Sequence, residues 1–208
     1  MTTTQHRTAR TDGKHAQATA SEAQPILNQR GPEIQKYGTV RFMPIGLDEQ
    51  ARQKSVDLLN QLLADTITLY SMYKKHHWQV MGPTFYQLHL LFDKHATEQL
   101  ALVDLIAERI QALGGLATGM PADVAEQTRL DRPPKGSEEV PVMISRLLDA
   151  HELICGEVRE GIDLTDESKD WGTNDLLMSD VLRLHELQVW FLAQHLVDVP
   201  LVHASDGR

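Results

Sequence analysis

The sequence has a single cysteine, Cys155, and no apolar run that approaches the ~18 residues of a membrane-spanning helix. One cysteine excludes an internal disulfide bond and is typical of proteins from a reducing compartment. The N-terminal residues also lack the apolar core of a secretory signal. We therefore expect a cytoplasmic protein that does not span a membrane.

Positive charge is also scarce in the chain. Its 208 residues include 20 Lys and Arg against 29 Asp and Glu, which gives a formal net charge of −9. An acidic surface repels nucleic acid on average, so the charge argues against a globular nucleic-acid-binding domain. A hydrophobic content of 41% is sufficient for one domain with a complete core.

Residues 1–46 show little hydrophobic periodicity, and we expect them to form a flexible N-terminal tail. From Met1 to Arg41 the tail has six basic and three acidic residues, a formal charge of +3. A flexible cationic arm can bind phosphates, and many arms on one assembly would multiply that effect. The alternative is a solubilising tail whose last part docks on the domain. The sequence leaves both alternatives open.

Beyond the tail, apolar residues recur at helical spacing in four long stretches. The expected helices cover approximately residues 48–78, 83–113, 141–164 and 173–199, with Thr173 as the N-cap of the last. A connection rich in Pro and Gly joins the second helix to the third and has room for one short helix. We therefore expect an all-α, ferritin-like four-helix bundle with one long crossover over residues 47–199, and a C-terminal tail at residues 200–208.

Five potential metal ligands share one phase of the first two helices. They are His77, His89, Asp93, Asp104 and Glu108, the last four at spacings of four, eleven and four residues. Residues four apart lie on one face of a helix and eleven residues complete about three turns, so the four keep to one stripe. Imidazole and carboxylate groups together are a ligand set for iron, manganese or zinc.

The same spacing excludes a single site on one helix. Asp93 and Asp104 are separated by roughly 16 Å along the helix axis, whereas a metal–oxygen bond is only about 2 Å long. Either the chain holds two weak sites, or the first pair of ligands faces the second pair of another copy across a twofold axis. A solvated polar face is the alternative, but five ligands in phase beside apolar residues favour a metal centre built by a dimer.

Bundles that hold two irons within one subunit use Glu-x-x-His pairs on inward helix faces. None of the histidines has a glutamate three residues before it, so we expect no such intrasubunit centre. The remaining polar residues receive structural interpretations. His151, His185 and His195 are hydrogen-bonded structural histidines, His76 is a surface group or supports a ligand, and Arg109 is a partner for a carboxylate.

These residues resemble the Dps family (DNA-binding protein from starved cells), a shell-forming branch of the ferritin superfamily, over about residues 48–199. The shared pattern consists of His77-Trp78, Gly82, Phe85, His89, Asp93, Asp104, Ala107-Glu108-Arg109 and Leu113-Gly114-Gly115. The resemblance implies a dodecamer around a hollow cavity, with ferroxidase centres at the twofold interfaces. Each di-iron centre would combine the two histidines and Asp93 of one subunit with Asp104 and Glu108 of its partner.

At such a centre Fe(II) would be oxidised, with hydrogen peroxide as the preferred oxidant in much of the family, and Fe(III) would pass to a mineral core. Iron is expected to enter through acidic pores, for which Asp170 and Asp175 are candidates and Asp166 is a weaker one. A carboxylate favoured by the helix dipole is the alternative for Asp175. His76 is a possible additional ligand that would let zinc compete with iron.

The tail departs from that of strongly DNA-binding members of the family, because it lacks their lysine-dense arm. The main expectation is an iron-oxidising, iron-storing shell that protects the cell from oxidative damage. One rival function is a nucleoid-structuring protein that binds DNA through its tail. Another is a shell that holds zinc or manganese and oxidises little iron.

Overall fold

The structure, a computed structural model, describes residues 31–198. Residues 1–30 of the predicted tail, residue 199 at the predicted end of the last helix and the predicted tail at residues 200–208 lie outside the described residues. The chain divides into two units, Met1–Lys36 and Tyr37–Arg208. Within the first unit, residues 31–36 form no regular helix or strand.

Every regular element between residues 31 and 198 is helical, so the predicted all-α class is confirmed. The elements are α1 (Glu49–Gln79), α2 (Phe85–Ala112), α3 (Pro121–Gln127), α4 (Val140–Glu167), α5 (Trp171–Asp175), a π-helical segment (Leu176–Leu182), α6 (Arg183–Ala193) and a 3₁₀ turn (Gln194–Leu196). The bundle consists of α1, α2, α4 and the continuous run from α5 to α6, and α3 lies in the long crossover. None of the helices in this described part is long and apolar enough to cross a membrane.

Local residues determine where α1 begins and where α2 ends. Asp48 caps α1, because its side chain accepts hydrogen bonds from the backbone N–H groups of Gln50 and Ala51. Gly114 follows the end of α2 with a φ angle of 88°, which glycine adopts without strain. A Cβ atom on Gly114 would lie 2.5 Å from the carbonyl oxygen of Arg41, so a larger residue would displace the chain there.

The start of the fourth long helix differs from the prediction. Thr173 is not the N-cap, because α5 begins at Trp171 and Asp170 caps it by accepting a hydrogen bond from the backbone N–H of Thr173. The hydroxyl of Thr173 donates to the same carboxylate at 2.6 Å. After α5 the helix widens into the π segment, a form that occurs mostly as a single turn within α-helices.

The hydrophobic core lies between the four long helices. Its fully buried side chains include Leu59, Leu63, Phe92, Ile106, Ile144, Leu147 and Leu177. Each such side chain contributes roughly 1.5–3 kcal/mol when it leaves water, so this core is the main source of stability. Phe85 is 43% exposed, because it is the first residue of α2 and lies beside the ring of His89.

The last part of the predicted tail docks on the bundle. The backbone N–H of Arg41 donates to the carbonyl oxygen of Gly114 at 2.9 Å. The buried guanidinium of Arg52 links the same two segments. Its Nη1 donates to the carbonyl oxygens of Arg41 at 2.6 Å and Leu113 at 3.0 Å. The compact unit therefore begins at Tyr37, before the predicted boundary at residues 46 and 47.

Candidate metal centre

Two of the predicted ligands meet where α1 ends and α2 begins. The rings of His77 and His89 stack with their centroids 3.8 Å apart and an angle of 20° between their planes. Two crossed hydrogen bonds fix this arrangement. His77 Nδ1 lies 2.7 Å from the carbonyl oxygen of His89, and His89 Nδ1 lies 2.9 Å from the carbonyl oxygen of His77.

These hydrogen bonds determine which nitrogen of each ring is available. A carbonyl oxygen only accepts hydrogen bonds, so each Nδ1 carries the proton of the neutral imidazole. The lone pair of each Nε2 is therefore free, and backbone carbonyls that hold the opposite N–H are typical partners of metal-ligating histidines. The backbone of the chain itself therefore fixes the orientation of the two rings.

Asp93 lies beside this histidine pair and is held by a lysine. Lys74 Nζ donates to Asp93 Oδ1 at 2.6 Å, and His77 Nε2 lies 3.8 Å from the same oxygen. The hydrogen bond from Lys74 holds the pKa of Asp93 below its ordinary value, so the carboxylate is ionised. The side chain of Asp93 is 48% exposed, and the ammonium group of Lys74 would compete with a metal ion for its Oδ1.

The other two predicted ligands lie on the same helix but apart from these three. Asp104 and Glu108 are exposed on α2 and accept no hydrogen bond from any residue in the described range. Asp104 follows Asp93 by eleven residues, which is roughly 16 Å along a continuous helix. The structure therefore places Asp93 beside the His77–His89 pair, whereas the second pair of carboxylates has no hydrogen-bond or ion-pair partner among residues 31–198.

The surface around the ligands is incomplete in one chain. Within residues 31–198, no three His, Cys, Asp or Glu side chains form a group that could hold a metal ion. Large apolar side chains near the ligands, at the end of α1 and along α2, are also exposed: Trp78, Phe85, Tyr86, Leu90, Leu100 and Leu105. An exposed apolar surface that also carries ligands is typical of a face that another subunit covers.

The fold and the ligand pattern both have counterparts among known proteins. Residues 56–202 match the family model of the ferritin-like domain. DNA protection during starvation protein 2 of Bacillus anthracis is 31% identical over 137 residues, which cover 66% of this chain and 92% of that protein. The chain belongs to the Dps family.

Solved Dps structures have the same fold. DpsC from Streptomyces coelicolor superposes with a TM-score of 0.81 and 58% identity, and the match covers 82% of this chain and 99% of DpsC. A Dps protein from Vibrio cholerae O1, described as a member of a broad superfamily of ferritin-like diiron-carboxylate proteins, gives a TM-score of 0.70 and 28% identity over 78% of this chain and 99% of that one. The expected ferritin-like bundle is confirmed.

Arg109 pairs with a carboxylate as expected, and its partner is one of the candidate pore residues of this Dps chain. Arg109 Nη2 lies 2.5 Å from Asp170 Oδ1, and Arg109 Nε donates to the hydroxyl of Thr173 at 2.9 Å. The Asp170 side chain is only 1% exposed. Burial alone raises the pKa of Asp170, but hydrogen bonds from Thr173 and Ser55 bring it below its ordinary value. Within its own chain Asp170 therefore caps α5 and pairs with Arg109.

The other pore candidates of this Dps chain have different environments. Asp175 is exposed at the end of α5 and accepts a hydrogen bond from the hydroxyl of Ser179 at 2.9 Å. It is the fifth residue of the continuous helical run that begins at Trp171, so its interpretation as a carboxylate favoured by the helix dipole stays a prediction. Asp166 is exposed near the end of α4. Asp175 therefore stays the better placed of the two for an acidic entry route.

His76 does not lie at the surface, which corrects one sequence expectation. Its side chain is 0% exposed and its ring lies near that of Phe92, with the centroids 6.4 Å apart. Neither ring nitrogen has a hydrogen-bond partner in the described part of the chain. Burial, followed by the charge of Lys75, lowers the pKa of His76 to about 4. A ring enclosed in this way is not placed as an additional ligand beside His77.

Sequence reasoning did not find a second polar cluster, which crosses the bundle core. We call His95, Tyr73, His151 and His185 the core histidine–tyrosine chain. Tyr73 Oη lies 2.5 Å from His151 Nε2 and 3.2 Å from His95 Nδ1. His151 Nδ1 lies 2.9 Å from His185 Nδ1, so one proton is held between the two rings. All four side chains are 0% exposed.

Glutamines continue this chain toward the surface. Gln99 Nε2 contacts His185 Nε2 at 3.4 Å and donates to Gln188 Oε1 at 2.9 Å, and Gln188 Nε2 donates to Glu98 at 2.9 Å. The structural interpretation of His151 and His185 is therefore confirmed. His195 differs, because it is exposed and has no hydrogen bond to the described residues.

Burial keeps the core histidine–tyrosine chain neutral. It lowers the pKa of His95 to about 4 and that of His185 to about 3, and it lowers the pKa of His151 well below its ordinary value. Burial also raises the pKa of Tyr73 well above its ordinary value. A proton transfer between two of these groups would create a positive and a negative charge in the core, where charged forms are disfavoured. The four groups therefore keep their neutral protonation states.

Proposed function

We propose that this protein oxidises Fe(II) and stores the Fe(III) product in a shell whose oxidation centres each need two subunits. The observation that carries the proposal is the division of the ligands on one open face. His77 and His89 stack with both Nε2 lone pairs free and Asp93 lies beside His77, whereas Asp104 and Glu108 are exposed further along α2. Family membership and the diiron-carboxylate description of the Vibrio cholerae relative support iron as the substrate.

Each ligand has a role that follows from its chemistry. Asp93 and Glu108 supply hard anionic oxygens, which bind Fe(III) more strongly than Fe(II) and so favour oxidation. Asp104 helps to hold the second iron. His77 and His89 bind as neutral imidazoles and keep their orientation through the crossed carbonyl bonds.

Hydrogen peroxide is the oxidant in this proposal. Two Fe(II) ions each give one electron to one peroxide molecule, which takes up two protons and becomes two molecules of water. Because both electrons arrive together, no hydroxyl radical is released. Twelve subunits around a cavity would then provide the space in which Fe(III) mineralises, and exposed Asp175 would line the acidic route by which iron enters.

Mixed shells provide the decisive experiment, because the two halves of a shared centre can be removed on different chains. Asp93→Ala shells and Glu108→Ala shells should each lose peroxide-driven Fe(II) oxidation. Shells coassembled from equal amounts of the two chains should recover it at about a quarter of the centres, since random pairing makes half of the dimers mixed and each mixed dimer has one intact centre of two.

The controls separate this arrangement from other sites. Glu152→Ala removes an exposed α4 carboxylate away from the ligands and should oxidise iron at the wild-type rate. Wild-type rates for Asp93→Ala and Glu108→Ala would exclude the proposed ligands. Inactive single variants without recovery in the mixed shells would exclude a centre that is shared between subunits. Adding Zn(II) to the wild type tests competition, since the same nitrogen and oxygen ligands also suit zinc.

DNA binding is a second candidate function, favoured by the +3 charge of residues 1–41 and by the name of the Bacillus anthracis relative. Binding by such arms depends on phosphate contacts, so a gel shift should weaken steeply as salt increases. A chain that lacks residues 1–36 is the matched control. Absence of a shift at low salt would remove this candidate.

A further inference from the structure

A pair of carboxyl groups lies where the crossover leaves α3, away from the candidate ligands. Asp65 of α1 precedes His77 by twelve residues, roughly 18 Å along the helix, and is 0% exposed. The Thr128 hydroxyl and the backbone N–H of Arg129 donate to its Oδ1, each at 2.7 Å, and Gln61 Nε2 donates to its Oδ2 at 2.7 Å. Asp65 therefore fastens the crossover to α1.

Glu157 of α4 faces the same carboxyl group. Its side chain is 11% exposed, and Arg129 Nη1 donates to its Oε1 at 2.7 Å. Its other oxygen, Oε2, is enclosed and receives no hydrogen bond from residues 31–198. The carboxyl group of Asp65 lies within hydrogen-bonding reach of Glu157. Ionised carboxylates only accept hydrogen bonds, so this contact is a hydrogen bond only when one of the two groups carries a proton.

The surrounding donors determine where that proton lies. Three hydrogen bonds stabilise the anionic form of Asp65, whereas Glu157 accepts one, from the 59% exposed Arg129. A proton on Glu157 can be donated to Asp65, so the joined pair carries one negative charge. Burial, followed by the charge of Asp65, raises the pKa of Glu157 to about 7. Glu157 therefore gains and loses its proton near neutral pH.

Three carboxylates and one guanidinium surround Glu157. Asp57 and Asp65 lie on α1, Glu160 on α4 and Arg129 on the crossover, and all of them except Asp65 line a cavity of about 330 Å³ beside Glu157. The π-helical segment contributes only an apolar side chain to this cavity. Ionisation of Glu157 thus adds a negative charge where carboxylates already outnumber the one cation. Because Glu157 lines the cavity, its proton can exchange with solvent.

We infer that Asp65 and Glu157 form a pH-dependent latch that holds the crossover on the bundle. With Glu157 protonated, the carboxyl pair joins α1 to α4, and both groups bind the crossover through Thr128 and Arg129. Loss of the proton to solvent replaces the hydrogen bond by repulsion between two negative charges, so the crossover loosens at residues 127–129. Uptake of a proton from solvent closes the latch again.

The same latch controls the attachment of the start of the compact unit. Gln61 Nε2, which donates to Asp65, also donates to the carbonyl oxygen of Gln127 at 3.0 Å. Gln127 Nε2 donates in turn to Tyr37 Oη at 3.1 Å. Tyr37 is thus held through the segment that the latch fastens, and its backbone should become more accessible when the latch opens.

Hydrogen–deuterium exchange of the assembled full-length protein measures the latch, because Asp65 protects the N–H of Arg129 only while the crossover is docked. A pKa raised in the docked state means that the stabilisation is complete below the ordinary pKa of glutamate and is lost as pH rises through about 7. Protection of residues 127–130, corrected for the intrinsic exchange rate at each pH, should fall about tenfold from pH 6 to pH 8.5. The reason is that each opening releases one proton between pH 6 and pH 7 and none above that range.

Glu157→Gln is the isosteric test. Its amide can donate to Asp65 and accept from Arg129 at every pH, so protection should stay constant from pH 6 to pH 8.5. Glu160→Gln is the matched control, because it removes an exposed carboxylate that lines the same cavity three residues later, and it should retain the wild-type fall. Constant protection in the wild type, or an equal fall in Glu157→Gln, would overturn the inference.

Infrared spectroscopy detects the proton itself. The difference spectrum between the wild type and Glu157→Gln at pH 6 should contain the C=O band of a protonated carboxyl group, and this band should disappear above about pH 7. Absence of the band at pH 6 would refute the latch. The buried histidines are present in both proteins, so their own response to pH cancels in the comparison. Neither readout involves iron, so the result is independent of the proposed iron oxidation.

Discussion

Between residues 31 and 198 the protein contains two pairs of touching imidazoles, and their nitrogens serve different purposes. In His77 and His89 each Nδ1 is held by a backbone carbonyl, so both Nε2 atoms are free at the open face of α2. In His151 and His185 the two Nδ1 atoms share a proton, and the Nε2 atoms contact Tyr73 and Gln99. The first pair is arranged to receive a ligand from outside, and the second is completed by its own chain.

Burial explains why one pair is open and the other closed. A polar atom that is enclosed in the core must find a partner in its own chain, since an unpaired buried group costs about 1–3 kcal/mol. At a subunit interface that partner, or a metal, can come from elsewhere. The histidine side chains at the open face should therefore matter for activity and those in the core for stability, and three experiments test this difference.

The largest effects on stability and activity are expected when one histidine of each pair is replaced by alanine. His185→Ala leaves a cavity and removes the partner of His151, so the free energy of unfolding should fall by about 2–4 kcal/mol. His89→Ala should change stability little and abolish Fe(II) oxidation. Chemical denaturation of assembled shells, followed by circular dichroism, measures the first effect, and peroxide-driven iron oxidation the second. Equal loss of stability in the two variants would contradict the comparison.

The second largest effect is expected on acidification, which should lower the free energy of unfolding through the buried histidines of the core. The folded-state pKa values of His95 and His185 are about 4 and 3, below the ordinary value of 6.5, so the unfolded chain binds protons first as pH falls. This contribution to stability is therefore complete above pH 6.5 and is lost progressively down to about pH 4 for His95 and about pH 3 for His185. At pH 5 each of these two imidazoles should lower the free energy of unfolding by about 2 kcal/mol relative to pH 8.

Denaturation midpoints measured from pH 8 to pH 4 verify this sign. His95→Gln removes one titrating ring, so its denaturation midpoint should fall less steeply below pH 6.5. Tyr73→Phe retains all the buried imidazoles and should show the same fall as the wild type. Stability that increases on acidification below pH 6.5 would refute the neutral core.

The smallest effect is expected at Lys74. Its ammonium group lies 2.6 Å from Asp93 Oδ1, so it competes with a metal ion for that oxygen. Lys74→Met should tighten Zn(II) binding a few-fold, which corresponds to the ~0.2–1 kcal/mol of an exposed ion pair. Calorimetric titration of assembled shells measures the change. Weaker Zn(II) binding by the variant would indicate that Lys74 supports the ligand and does not compete for it.

Much of the fold follows from local sequence signals. Apolar periodicity gave the four long helices, Asp48 marked the start of α1 and Gly114 the end of α2, each through a local chemical cause. The approach of His77 to His89 also follows from the pattern, since both lie next to a short connection between two helices. The division of the ligands between subunits is still a prediction, because the carboxylates that would complete each centre belong to a second copy of the chain.

The rest depended on distances between helices that periodicity does not encode. His76 lies about 100° from His77 on α1, which places it on another face but does not say whether a neighbouring helix covers that face. Residues of four separate helical segments meet in the core histidine–tyrosine chain, and no spacing within one segment predicts their contact. The sequence also did not predict the ion pair of Asp170, because its partner Arg109 lies 61 residues earlier in the chain.

The π-helical segment Leu176–Leu182 stands directly before His185 and Gln188. A single wide turn of this kind absorbs one extra residue, so the helix beyond it keeps the direction and register that an uninterrupted α-helix would have had. A relative one residue shorter in this segment could therefore present the same side chains to the bundle interior. Sequence comparisons across α6 should allow a gap there, because a rigid alignment would pair each later position with the wrong neighbour.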